Sequence, residues 1–73
     1  MSDPEIDPII LRARELREML HLTQREFAER FGLKFQTYAQ WERGHRRPDE
    51  TALVLLRVIV AAPGIVAAIV KEG

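Results

Sequence analysis

The stretch from Thr23 to Gly44, "TQREFAERFGLKFQTYAQWERG", leaves the chain few choices of fold. Thr23 and Glu26 have the spacing of a capping box, in which hydroxyl and carboxylate each satisfy the other's free backbone N–H. Leu22 and Phe27 flank that cap as a hydrophobic staple. Gly32 and Gly44 stand where helices end in the left-handed conformation. The run therefore reads as a short helix ending near Phe31, a glycine turn, and a second helix from about Lys34 to Arg43. Two short helices joined in this way form a helix-turn-helix. Ala28 is small where the helices must approach closely, and Leu33, Tyr38 and Trp41 face inward.

The flanking sequence is helical as well. Asp7-Pro8 starts a first helix, with Asp7 as N-cap and Pro8 at the first helical position, running to about Leu20. Ile9, Ala13, Leu16 and Leu20 recur at steps of three and four and define its apolar face. Arg12, Arg14, Glu15, Arg17 and Glu18 take the remaining positions. Pro48 breaks the chain, and Asp49 or Glu50 suits the positive start of a fourth helix reaching about Ala62. Pro63-Gly64 interrupts the pattern before a fifth short helix to about Lys71. No alternating strand pattern occurs, so the expected class is all-α: one domain of five helices, with an acidic tail over residues 1–7, the helix-turn-helix over 23–43 and C-terminal helices over 49–71.

The chain has 73 residues and no cysteine, so neither disulfides nor thiolate chemistry support it. A domain this small buries a limited share of its surface and is marginally stable alone. The opening "MSDPEIDP" is acidic and proline-punctuated, unlike a signal peptide. Formal net charge is zero, which argues against a general polyanion binder. The distribution matters more: between residues 23 and 48, Arg25, Arg30, Lys34, Arg43, Arg46 and Arg47 stand against Glu26, Glu29 and Glu42. That local excess of positive charge gives a neutral protein a basic footprint. His21 and His45 have no carboxylate or nucleophile partner at helical spacing, and no phosphate loop or paired-histidine metal motif occurs. The expected protein is not an enzyme and uses neither cofactor nor metal.

Thr23, Gln24, Glu26, Ala28, Gly32, Thr37, Trp41, Glu42, Gly44, Arg46 and Pro48 together resemble the motif of the Cro/C1-type (XRE) helix-turn-helix regulators. With the flanking helices the resemblance extends over residues 9–70. It implies a compact, lambda-repressor-like DNA-binding domain whose third helix enters the major groove while the second lies across the backbone. "RRPDETALVLLRVIVAAPGIVAAI" also resembles the segment after the motif in the HigA and MqsA antitoxin branch. That likeness makes a toxin protein the alternative partner.

Residue chemistry points to the same helix. Gln36 and Gln40 are one helical turn apart, and a glutamine amide matches the N6 and N7 of adenine. Thr37 between them offers a methyl to thymine or a hydroxyl to phosphate. These three are the expected base readers. The resemblance makes Gln24 a phosphate contact that braces the recognition helix. Lys34 stands where the family often has serine or threonine, which weakens the helix cap and brings an ammonium near DNA instead. Arg43, Arg46 and Arg47 complete the expected backbone contacts, which position rather than read. Phe35 is expected to pack under the second helix, Trp41 to anchor the core, and Glu42 to pair with an arginine.

Residues 52–70 carry one charge, Arg57. A helix apolar all round needs cover on every side, and five short helices cannot enclose it. Leu53, Leu56 and Val60 account for a core face. Val54, Val58, Ile65 and Ile69 are left over, and a patch of this kind marks a protein interface. Arg57 and the Pro63-Gly64 break argue against a membrane span. The expectation is a cytoplasmic homodimer that presents two recognition helices to a pseudo-palindromic operator on double-stranded DNA, as a repressor of its own gene.

Overall fold

The computed structural model describes residues 6–73, and the expected tail over residues 1–7 lies mostly outside them. Five helices follow in order: α1 Pro8–Met19, α2 Gln24–Phe31, α3 Phe35–Arg43, α4 Glu50–Ala61 and α5 Pro63–Glu72. Among the described residues there is no strand. α1 packs against α3 and α4, α2 against α3 and α5, and α4 against α5.

Four of the five helices begin where a side chain or a proline relieves the unpaired amides. Asp7 Oδ1 accepts from the Ile9 amide at 3.1 Å, and Pro8 follows at N1. Thr23 Oγ1 accepts from the Glu26 amide at 3.1 Å, while Glu26 Oε1 accepts from the Thr23 amide at 2.8 Å, completing the expected capping box. Asp49 Oδ1 accepts from the Ala52 amide at 2.8 Å. Only α3 and α5 lack a side-chain cap. At α3 the capping position is Lys34, which has donors and no acceptor, so the helix starts one residue later than expected.

The helix ends differ in a way the sequence did not show. Gly32 and Gly44 adopt φ of 75° and 76° and close α2 and α3 as expected. α1 closes through His21, with φ of 58° and no glycine. Its amide donates to Glu18 O at 3.1 Å, and the Leu22 amide donates to Arg17 O at 3.0 Å. These are the two bonds of a Schellman motif, held here by a residue whose Cβ disfavours the left-handed conformation.

Phe27, Phe31, Tyr38 and Trp41 form the centre of the core, all buried. Phe27 stacks on Tyr38 with centroids 5.0 Å apart, and Tyr38 meets Trp41 edge-on at 6.3 Å. Such pairs add about 0.5–1.5 kcal/mol beyond their burial. Ala13, Ala28 and Ala39 allow the helices to approach. Three large core residues escaped the sequence reading: Ile10 in α1, Phe31 at the end of α2 and Ile59 in α4 are fully buried. Leu20 was expected on the buried face of α1 but is 38% exposed. The apolar stripe of α1 runs through Ile10 and Ala13, one position C-terminal to the expected start, because α4 packs across that side of the helix.

Pro63 cannot donate to α4, and the chain bends by 112° between α4 and α5. No single helix among the described residues is long and apolar enough to cross a membrane. Leu56, Ile59 and Val66 are drawn into the core, and Leu53 and Val60 are half-buried. Val54, Val58, Ile65 and Ile69 remain 58%, 45%, 64% and 61% exposed. Within α4 and α5, the four residues left over in the sequence are thus the large apolar side chains that stay uncovered.

Candidate nucleic-acid interface

α3 is held by its inner face and shows its outer one. Tyr38, Ala39, Trp41 and Glu42 are buried. Gln36, Gln40 and Arg43 are exposed and Thr37 is half-buried. Gln36 and Gln40 therefore lie side by side, one turn apart, on the surface opposite the core. Lys34 is exposed at the N-terminal end of α3 with no capping bond. Arg46 and Arg47 are exposed in the segment between α3 and α4. Lys34, Arg43, Arg46 and Arg47 thus lie at the two ends of the exposed face.

The orientation of α3 is set by a buried carboxylate. Glu42 Oε2 accepts from Arg17 Nε at 2.9 Å, and Oε1 accepts from Arg17 Nη2 at 3.0 Å. Arg17 Nη1 donates to Leu22 O at 3.0 Å. The Glu42 side chain is 5% exposed and that of Arg17 17%. This bidentate pair ties the end of α1 and the entry to α2 onto α3. Glu42 was expected to pair with an arginine, and its partner proves to be Arg17, which the sequence placed on the solvent side of α1. A contact across 25 residues leaves no trace in local spacing.

Glu42 Oε1 also accepts from Gln24 Nε2 at 3.0 Å. That bond fixes the amide of Gln24, half-buried in the first turn of α2, and leaves its second N–H and its carbonyl oxygen for another partner. Burial raises the pKa of Glu42, but the bonds from Arg17, the Tyr38 hydroxyl beside it and the bond from Gln24 outweigh it and hold the carboxyl below its ordinary value. The same pair raises Arg17, so both remain charged at neutral pH. Burial pushes the Tyr38 hydroxyl well above the usual phenol range. Among the described residues no hydrogen bond of good geometry reaches the Tyr38 hydroxyl or the Trp41 Nε1; the hydroxyl lies beside Glu42, and both rings pack in the core.

Phe35, the first residue of α3, packs partly buried against the core. The guanidinium of Arg25, from the first turn of α2, lies over its ring at 4.3 Å from the centroid. This stack was not foreseen: Arg25 contributed to the basic excess without an assigned place.

The helix-turn-helix family model matches residues 14–57, more than half of the chain and all of the interface just described. This chain belongs to the helix-turn-helix family, of the Cro/C1 (XRE) type. DNA binding and transcription regulation are the functions of that family. Over 50 residues the chain is 47% identical to the type II methyltransferase M.SsoII of Shigella sonnei. The match covers 64% of this chain but 13% of that protein. No solved structure matches.

Proposed function

We propose that this chain is a sequence-specific transcriptional repressor that binds double-stranded DNA as a homodimer and acts on its own upstream region. The observation that carries the reading is the exposed pair Gln36 and Gln40 on a helix whose inner face is locked by Glu42. With α3 in the major groove, the two amides and Thr37 read base edges. Gln24, Lys34, Arg43, Arg46 and Arg47 contact the backbone. The uncovered residues Val54, Val58, Ile65 and Ile69 pack against a second copy, and two-fold symmetry sets the recognition helices about one turn of DNA apart, on the order of 34 Å. The protein would then act in the cytoplasm, on the nucleoid. Methyl transfer is not part of the proposal, because the likeness to the methyltransferase is confined to a small part of that protein.

The same apolar face favours a second reading, an antitoxin of the HigA or MqsA kind whose α4–α5 surface docks a toxin. The two can both hold: a toxin-like reading frame beside the gene would favour the second, and DNA titration tests the first. The purified protein is titrated into a duplex of its own upstream region and into a scrambled duplex at several salt concentrations, beside Gln36→Ala and Gln40→Ala. The repressor reading expects specific binding tighter by a factor on the order of a thousand, steep loss with salt as counterions are released, and loss of the preference in the glutamine variants. Equal, weak binding to both duplexes would refute it.

A further inference from the structure

Arg25 sits in an unusual place. A cation in the first turn of a helix faces the positive end of the backbone dipole, and α2 offers it no carboxylate at that end except Glu26, which is engaged with the Thr23 amide. Among the described residues the guanidinium of Arg25 has neither an ion-pair partner nor a hydrogen-bond acceptor. Its observed contact is with the face of Phe35. A guanidinium over an aromatic face is held there by the ring's negative face and not by hydrogen bonds, so the contact locates the fork without using an acceptor for its donors.

The ring that holds it belongs to the first residue of α3. In a helix-turn-helix, the N-terminal residues of the recognition helix meet base edges. Phenylalanine at that register has no donor or acceptor, whereas the next residue, Gln36, has both. The exposed amides of Gln36 and Gln40 suit adenine. A base-pair register next to Gln36 is thus faced by an apolar ring bearing a free bidentate donor fork from the neighbouring helix. The base whose major-groove edge accepts two such bonds is guanine, through O6 and N7.

We infer that Arg25, held in place by Phe35, reads a guanine in each half-site beside the bases read by Gln36 and Gln40. This rests on the DNA-binding reading above. Phe35 is a positioning residue: it touches no base and acts through the arginine. Arg25→Lys keeps the charge and loses the fork, so it separates base reading from simple attraction to phosphate.

The test is selection of bound sites from a randomised duplex pool with the full-length protein, followed by titration of the selected duplex and of versions carrying each base change. A selected site that the wild type binds no better than a scrambled duplex would refute DNA reading as a whole. Given specific binding, the inference expects one guanine position per half-site at which substitution, or 7-deazaguanine, weakens the wild type about tenfold or more. That position should become indifferent in Arg25→Ala and Arg25→Lys, while discrimination at the glutamine-read positions is kept. Phe35→Leu should reduce the guanine preference in the wild-type background and change nothing further in the Arg25→Ala background, with folding checked by circular dichroism. Uniform weakening of every duplex by Arg25→Ala, with full rescue by Arg25→Lys, would make Arg25 a phosphate contact and overturn the inference. An effect of Phe35→Leu that persists undiminished without Arg25 would overturn the positioning role.

Discussion

Removing the Glu42 carboxylate should cost this domain a large share of its stability. Glu42 accepts three hydrogen bonds, two from Arg17 and one from Gln24. In Glu42→Ala the Arg17 guanidinium loses its only anionic partner among the described residues while remaining mostly buried. Breaking one side of a buried pair costs about 3–5 kcal/mol. Water reaches the 17% of the Arg17 side chain that is exposed, so the lower end, about 3 kcal/mol, applies. Native domains have roughly 5–15 kcal/mol in total, and one this small lies toward the bottom of that range. Urea unfolding, followed by circular dichroism at fixed protein concentration, gives the measurement. With a slope of about 1 kcal/mol per molar and about 5 kcal/mol to begin with, the midpoint should fall by about 3 M, leaving a variant that is folded in buffer but unfolds at about 2 M urea. Arg17→Met with Glu42→Leu removes both charges and should recover most of the loss. The pair also has a pH signature. Since the folded carboxyl titrates below its ordinary value of 4.5, its contribution is complete above that pH and disappears as pH falls through the lower folded value. Glu42→Gln should therefore lie below the wild type at neutral pH and converge with it in acid. A midpoint change under 1 M for Glu42→Ala, or a double variant whose losses simply add, would refute the argument that this pair holds α3 in place.

Three further outcomes follow from the same structure. His21→Gly relieves a left-handed φ worth about 1–2 kcal/mol against the added freedom of glycine in the unfolded chain, so thermal unfolding should show a net gain below about 1 kcal/mol; a loss would mean that the His21 side chain contributes a contact. Gly32→Ala meets both the φ of 75° and Val70 Cγ2 at 3.2 Å from the new Cβ, and should lose about 1–2 kcal/mol in the same assay. Val58→Glu places a charge in the uncovered α4–α5 face; sedimentation should find the wild type dimeric and the variant monomeric with intact helicity, and a wild type that sediments as a monomer at micromolar concentration would exclude the second copy.

The sequence by itself determined the elements. Capping geometry is local, so Asp7, Thr23–Glu26 and Asp49 marked three helix starts, and Gly32 and Gly44 two helix ends, to within a residue or so. The family motif and the adjacent glutamines on α3 are equally local, being a matter of spacing along one helix. So was the apolar excess of α4 and α5, since any single helix can bury only part of its circumference. Tertiary structure decided what depends on neighbours distant in the chain. Which side of α1 was buried depended on where α4 crossed it, which placed Ile10 inside and Leu20 at the surface. The partner of Glu42 depended on the end of α1 returning to α3, and the stack of Arg25 on Phe35 depended on the crossing of α2 over α3. The left-handed turn at His21 is carried by the bonds that close α1 in spite of the residue's own preference. Local rules describe what a segment gains by itself; the pairing of charges and the choice of buried face are settled only when separate helices compete for the same space.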